Sequence, residues 1–303
     1  MIDITHKANT YRKAIASAQV VCSKKETIEA INNNTVPKGN VLESARVAAL
    51  FAAKKTSEMI PDCHPLPIEY TQVRFVLKEV TIHIEVEVAT IYKTGVEVEA
   101  MHAASVAALT LYDMLKPIDK GICIDRIQLQ EKQGGKSDIK KKPLPNLTAK
   151  VVVCSDSISK GSKTDTAGLS IKNQLEKLGV NVKDYTIIPD EVSDIQQSAM
   201  QGVENKVDLI IFTGGTGLSN RDVTPEALIP IIQRRVPGIE EAIRSYGQNR
   251  TPYAMLSRSV SGFIENSLVL ALPGSSRGAS ESMDAVFPHI LHVFSILGGQ
   301  RHD

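Results

Sequence analysis

Apolar and polar positions follow one rhythm in the first half of the chain and another in the second. Ala45–Glu58, ARVAALFAAKKTSE, sets its apolar residues at helical spacing, and so does Glu99–Leu115, EAMHAASVAALTLYDML. Between them Gln72–Thr90 tends to alternate, most clearly in VTIHIEVEVAT, which predicts strands with one wet face. Ile122–Glu131 reads as a further strand. Helix, strands, helix, strand predicts an α+β domain, a ferredoxin-like antiparallel sheet with helices. Later strands are read at Val151–Cys154, Val182–Ile188, Leu209–Phe212 and Leu268–Leu272, and apart from Val182–Ile188 they are apolar runs. Helices are predicted between them at Ala167–Leu178, Val192–Glu204 and Glu226–Val236. That alternation predicts an α/β domain with a three-layer, mostly parallel sheet.

The rhythm changes at Ser137–Lys150, SDIKKKPLPNLTAK, where a Lys run and two prolines favour extended, exposed chain. The boundary is therefore expected near residue 145, with a first domain at 1–142, a linker at 143–148 and a second domain at 149–303.

Composition removes several classes of function. The 303 residues carry a formal net charge of +1, too balanced to argue for nucleic acid. Trp is absent and aromatic residues make up 4% of the chain, which weakens any base-stacking platform. No run of about 18 apolar residues occurs, so no membrane partner is expected. Cys22, Cys63, Cys123 and Cys154 form no CxxC pair, and their scatter predicts reduced thiols in a cytoplasmic protein.

In the second half, Thr213-Gly214-Gly215-Thr216-Gly217 follows the strand Leu209–Phe212 and leads through RDVTP into a helix. Its glycines allow a tight turn and close backbone approach to an anion. Those residues alone also fit an ordinary strand-to-helix turn. Thr224 before Pro225 is expected to cap the following helix. Ser155-Asp156, Pro189-Asp190 and Pro273-Gly274-Ser275 end other strands at the same predicted sheet edge, where ligands of such folds bind. Asp190 and Asp222 are a carboxylate pair suited to Mg²⁺ bridging phosphates.

With CSDS at 154–157, IPDE at 188–191, TGGTG and RDVTPEA at 213–227, MLSR at 255–258 and LPGS at 272–275, residues 148–300 resemble the molybdopterin-binding family of MogA, MoaB and the gephyrin G domain. The resemblance implies adenylylation of molybdopterin by Mg-ATP, with Asp190 and Asp222 as essential carboxylates. It implies that Thr213, Gly214, Gly215, Thr216 and Gly217 form the phosphate and pterin loop, with Ser155, Asp156, Ser275 and Arg277 beside the ligand. Many relatives have Pro-Lys where this chain has Ser276-Arg277.

In the first half, Cys63-His64-Pro65 holds a histidine in a non-helical loop. Glu97 and Glu99 share one face if KTGVEVE is extended, and Asp113 and Lys116 are neighbours on one helix face. Gly134-Gly135-Lys136-Ser137 offers flexible backbone with a cation. Taken singly, each of these also reads as a loop, a strand end, a surface ion pair or a linker. Together with MIDIT, Pro37-Lys38-Gly39, CHPL, KTGVEVEA, AASVAALTLYDMLK and GGKS, they make residues 1–138 similar to the MoaC family, the cyclic pyranopterin monophosphate synthases. The resemblance implies conversion of 3′,8-cyclo-7,8-dihydro-GTP to cyclic pyranopterin monophosphate and diphosphate. Lys38, Asp113 and Lys116 would be its catalytic core. His64, Glu97 and Glu99 would line the substrate with Cys63 and Pro65, and Arg12 and Lys136 would hold phosphates. Two adjacent ammonium groups are expected to lower each other's pKa and supply a base. Relatives usually have Asp where this chain has Asn40, a change expected to act on Lys38.

The expected partners are thus small molecules: the cyclised dihydro-GTP, molybdopterin and ATP. Both resemblances imply a homo-oligomer, a trimer or hexamer. A non-catalytic molybdopterin-binding or scaffold module is the alternative for the second half.

Overall fold

The computed structural model describes residues 1–135 and 146–297. Lys136 and residues 143–145 of the expected linker lie outside the described residues, and Thr148 at its end already belongs to a strand. The chain forms two compact units, Met1–Lys140 and Lys141–Asp303.

The N-terminal unit runs β1 (Thr10–Val21), α1 (Lys25–Asn32), α2 (Val41–Lys54), α3 (Thr56–Met59), β2 (Tyr70–Lys78), β3 (Thr81–Tyr92), α4 (Glu97–Leu115) and β4 (Cys123–Gln133). Its sheet has the order β2-β3-β1-β4 with every pairing antiparallel, as in a ferredoxin-like fold. Alternation does the sorting. Ala14, Ala16, Ala18 and Val20 of β1 and Ile82, Ile84, Val86 and Val88 of β3 point into the core. On α4, Ala100, Ala103, Ala104, Ala107, Ala108 and Leu111 recur at helical spacing and are fully buried. Their small size lets α4 lie close to β1 and to Ala45, Ala49 and Ala53 of α2. Strand β1 goes unpredicted because its inward positions are mostly alanine, too weak an apolar signal for alternation to register.

The C-terminal unit runs β5 (Thr148–Cys154), α5 (Asp156–Ser159), α6 (Ala167–Lys177), β6 (Asn181–Ile188), α7 (Val192–Glu204), β7 (Leu209–Thr213), α8 (Thr224–Leu228), β8 (Arg234–Arg235), α9 (Pro237–Gln248), β9 (Val260–Ile264), β10 (Ser267–Leu272), α10 (Ser276–Val286) and α11 (His292–Leu297). The sheet order is β6-β5-β7-β10-β9-β8. The β6-β5-β7-β10 core is parallel, and β9 and β8 join antiparallel. Successive strand residues feed opposite layers. Val151, Ile211 and Leu270 pack with Ile171 of α6, Ile243 of α9 and Met283 of α10, while Val152, Ile210 and Val269 pack with Ile195 of α7 and Leu228 of α8. The helix expected at Glu226–Val236 stops at Leu228, because Pro230 cannot continue it and the chain turns into β8.

Candidate active sites

In the N-terminal unit the end of α4 carries a three-membered ionic cluster. Asp113 accepts from Lys38 Nζ at 2.7 Å through one carboxylate oxygen and pairs with Lys116 Nζ at 2.7 Å through the other. Lys38 also donates to the Asp113 carbonyl at 2.9 Å. It is presented by the turn at Gly39, whose φ of +90° favours glycine. Asn40 caps α2 by accepting from the Glu43 amide at 3.1 Å, so its side chain is engaged at the helix start. Hydrogen bonds from Lys116 and Lys38 pull the Asp113 pKa down to about 2, and Asp113 in turn raises that of Lys116. The mutual lowering expected for the lysine pair is therefore reversed at Lys116, because a carboxylate stands between the two ammonium groups.

The other predicted residues gather at the opposite end of α4. The helix starts at Glu97, so Glu97 and Glu99 are helical, about 200° apart, and do not share the face an extended segment would give them. Glu99 is 2% exposed and accepts from the Cys63 thiol at 3.0 Å, while its Oε2 is buried without a hydrogen-bond partner among the described residues. Burial raises the pKa of Glu99. Burial and the Glu99 carboxylate push the Cys63 thiol up to about 12. Glu97 instead pairs with Lys132 of β4 at 3.3 Å. Arg12 donates to the Tyr92 and Lys93 carbonyls, both at 3.4 Å. Its guanidinium lies so close to Gly135 that a Cβ there would come within 1.9 Å of Nη1. His64 Nε2 contacts the Ile2 carbonyl at 2.8 Å, and Pro65 follows in the same loop. At 1.5 Å per residue, the ends of α4 stand roughly 28 Å apart. One chain thus brings Lys38, Asp113 and Lys116 together, and Cys63 with Glu99, but does not join the two groups.

In the C-terminal unit the predicted residues meet at the carboxyl ends of β5, β6, β7 and β10. Ser155 caps α5, accepting from the Ile158 amide at 3.3 Å. Asp156 and Asp190 hold each other reciprocally: the Asp156 amide donates to Asp190 Oδ2 at 3.0 Å, and the Asp190 amide to Asp156 Oδ1 at 3.3 Å. Asp190 Oδ1 is buried without a partner among the described residues, and burial raises this pKa, with the charges of Asp156 and Asp222 adding to the rise.

The glycine loop wraps these carboxylates. Gly214 has φ +105°, and a Cβ there would lie 2.1 Å from the Cys154 carbonyl oxygen. A Cβ on Gly215 would reach 3.0 Å from Asp190 Oδ1, and one on Gly217 would reach 2.9 Å from Asp222 Oδ2. Asp222 Oδ2 accepts from the Ser219 amide at 2.8 Å. Thr213 donates to the Pro273 carbonyl at 2.9 Å, tying the loop to LPGS. Thr224 does not cap α8; it is fully buried and donates to the Gly214 carbonyl at 2.9 Å, buttressing the loop from within.

A cavity of about 370 Å³ opens over Gly215, Thr216, Gly217, Asp222, Gly274 and Ser275. Asp190 does not line it and meets the loop at Gly215. Ser275 caps α10, accepting from the Gly278 amide at 3.1 Å. Arg277 pairs with Glu281 at 2.8 Å and faces a neighbouring cavity.

Two arginines complete the frame without having been singled out in the sequence. Arg221 bridges Asp156 at 2.7 Å and Glu191 at 3.0 Å. Arg258 donates to the Gly217 carbonyl at 2.7 Å and the Asp222 carbonyl at 2.6 Å, and pairs with Glu226. Both lie inside motifs, RDVTPEA and MLSR, but a motif does not say which of its residues ties strand ends together.

Residues 1–135 match the model of the MoaC family, and residues 150–292 match that of a probable molybdopterin binding domain. The chain is 40% identical over 302 residues to a molybdenum cofactor biosynthesis bifunctional protein of Chlorobaculum tepidum, covering 100% of this chain and 96% of that one. It is 37% identical to a protein of the same description from Synechococcus elongatus, covering 100% and 98%. The first half is 48% identical over 139 residues to a cyclic pyranopterin monophosphate synthase of Thermomicrobium roseum, covering 45% of this chain and 83% of that one. Motifs, fold and full-length similarity agree that this chain belongs to the family of bifunctional molybdenum cofactor biosynthesis proteins, a MoaC unit followed by a molybdopterin-binding unit.

Proposed function

We propose that the N-terminal unit converts 3′,8-cyclo-7,8-dihydro-GTP to cyclic pyranopterin monophosphate and diphosphate, and that the C-terminal unit adenylylates molybdopterin with Mg-ATP. The Lys38–Asp113–Lys116 cluster carries the first reading. Ring opening and cyclic phosphate closure need proton donors and acceptors of separated pKa beside phosphate-binding cations. Lys116, held protonated by Asp113, is an acid and an anion anchor. Glu99, with a buried unpartnered oxygen, is the complementary group, and Arg12, Lys136 and His64 would hold the substrate. Because the two groups stand at opposite ends of α4, the complete site is assigned to a homo-oligomer in which one copy's Lys38–Asp113–Lys116 meets another's Cys63, His64, Glu97 and Glu99. A purified Lys116→Ala variant is expected to fold like the parent and to release no cyclic product. Full turnover by that variant would remove Lys116 from the mechanism.

The buried, unpartnered Oδ1 of Asp190 carries the second reading. No group of three or more metal-ligating side chains is found among the described residues. That fits Mg²⁺, which keeps its waters and takes one or two carboxylates together with substrate phosphates. Asp190 and Asp222 would hold it, and bound there it would neutralise phosphate charge. The chain itself contributes the rest. The TGGTG loop approaches phosphates with bare backbone, Thr224 and Arg258 hold that backbone in place, and Arg221 fixes Asp156 against Asp190. Incubating the native chain with molybdopterin and Mg-ATP should yield adenylylated molybdopterin and pyrophosphate. Binding of molybdopterin without product would leave the unit a binding or scaffold module.

A further inference from the structure

The first turns of α4 hold a titratable residue that neither motif around it contains. His102 lies between KTGVEVEA and AASVAALTLYDMLK, three positions after Glu99. On a helix that spacing makes the two side chains neighbours on one face. His102 is half-buried, and Glu99 almost wholly buried.

Thr56 fixes the tautomer of this imidazole. Its buried hydroxyl stands 2.9 Å from the Ala52 carbonyl, 3.1 Å from the Ala53 carbonyl and 3.2 Å from His102 Nδ1. Carbonyl oxygens only accept, so the hydroxyl proton goes to the end of α2, and Thr56 Oγ1 turns a lone pair to the ring. Nδ1 therefore carries its hydrogen and donates. Nε2, without a hydrogen-bond partner among the described residues, is the nitrogen that gains and loses a proton. Because Nδ1 donates in both protonation states, the ring keeps its place beside Glu99 in both.

The surrounding charges leave Glu99 as the group on which this one acts. Glu97 pairs with Lys132 of β4 at 3.3 Å, and His64 Nε2 contacts the Ile2 carbonyl at 2.8 Å. Lys55 and Glu58, on either side of Thr56, pair with each other at 3.3 Å. Strands β1 and β3 turn Ala14, Ala16, Val86 and Val88 to the core. The Cys63 thiol, pushed up to about 12 by burial and by Glu99, stays a neutral donor to Oε1. Burial raises the pKa of Glu99 and the charge of Glu97 adds to the rise, while the charge of His102 opposes it.

We infer that His102 is a positioning residue of the synthase site: anchored on Thr56 through Nδ1 and protonated at Nε2, it holds Glu99 in its ionised, proton-accepting form. The inference rests on the reading of Glu99 as the group that complements Lys116, but its first test needs no turnover. Urea denaturation of the full chain, at one chain concentration and read by proteolysis within the N-terminal unit, gives a double-mutant cycle of the parent, Glu99→Gln, His102→Asn and the double variant. Asparagine keeps an N–H for Thr56 and carries no charge; His102→Gln takes its place in the cycle if the asparagine variant does not fold. The coupling between the two positions should rise as Glu99 ionises, reach roughly threefold in the folding equilibrium constant, and fall as the imidazole loses its proton. Threefold corresponds to about half a pH unit. In the synthase assay the acid limb of kcat/KM should therefore move to higher pH by that amount in His102→Asn, because Glu99 beside a neutral side chain keeps its proton longer. A coupling that is absent, or the same at every pH, would reduce His102 to packing on Thr56 and overturn the inference, as would an unmoved acid limb in an active variant. A parent chain without synthase activity would instead strike the reading of the site, and the cycle would still decide whether His102 and Glu99 are coupled by charge.

Discussion

Among the described residues two carboxylate oxygens, one in each unit, are buried and unpartnered: Oε2 of Glu99 and Oδ1 of Asp190. A buried acceptor without a donor costs roughly 1–3 kcal/mol, so such atoms point to sites completed by a ligand or a proton. At Glu99 the proton has a measurable consequence. Burial raises its folded pKa above the ordinary value of 4.5, so the native state holds this proton more tightly than the unfolded chain does. Its contribution is most favourable below that ordinary value. It is lost as pH rises toward the folded pKa, and is constant above it. In Glu99→Gln nothing ionises at this position. Urea denaturation of the N-terminal unit should therefore show the variant gaining on the parent as pH rises across that window, then a level difference. A variant that instead loses ground on the parent as pH rises across that window would contradict the assignment. The sequence marks Glu99 as a candidate but not its burial, because KTGVEVE reads equally as extended chain, and only the helical start at Glu97 turns the two glutamates apart.

At the scale of elements, glycines of the same backbone class do different work. Gly39 and Gly214 both have positive φ, +90° and +105°. A Cβ at Gly39 meets nothing within 4 Å, whereas at Gly214 it would sit 2.1 Å from the Cys154 carbonyl oxygen, which is backbone at the end of β5 and cannot swing away. Gly39→Ala should cost only the strain of a left-handed alanine, about 1 kcal/mol. Gly214→Ala should cost clearly more and disturb the loop that reaches Asp190 and Asp222. Urea denaturation of each unit, read by proteolysis at its own cleavage sites, measures both. Equal costs would mean that β5 and the loop yield to each other. The TGGTG string predicts a tight turn, but not which glycine is pressed against β5. That depends on β5 and β7 being parallel neighbours, Val153 opposite Thr213, a long-range pairing invisible to local pattern. The strongly patterned elements, α4, α7, β7 and β10, were legible to within a few residues. Strand β1 and the early end of α8 were not, because alanine carries little alternation signal and Pro230 interrupts an otherwise helical composition.

For the whole molecule, the distribution of residues along α4 is what assigns the proposed synthase site to more than one copy of the chain. Lys38, Asp113 and Lys116 sit at its C-terminal end, and Cys63, His64, Glu97 and Glu99 at or before its N-terminal end; even Glu99 and Asp113 are separated by roughly 21 Å along the axis. A substrate the size of a nucleotide cannot span that distance, so a site using both groups draws them from two copies. Sequence motifs could nominate both groups but could not show this separation, since motif order says nothing about which ends of an element face each other across an interface. The arrangement predicts complementation. Lys116→Ala and Glu99→Gln each remove one contribution from every site of a homo-oligomer, so each should be inactive alone. After co-expression or subunit exchange, some interfaces pair the intact Lys116 of one copy with the intact Glu99 of another. With random pairing of two subunit types in equal amounts, one site in four carries both intact residues, so about a quarter of parental synthase activity should return. An inactive mixture that has demonstrably exchanged subunits would place all of these residues in a single-chain site, and α4 would then have to bend or shorten for them to meet. The C-terminal unit supplies the control: its predicted residues converge on one sheet edge within one chain, so Asp190→Asn and Asp222→Asn variants mixed in the same way should not rescue each other.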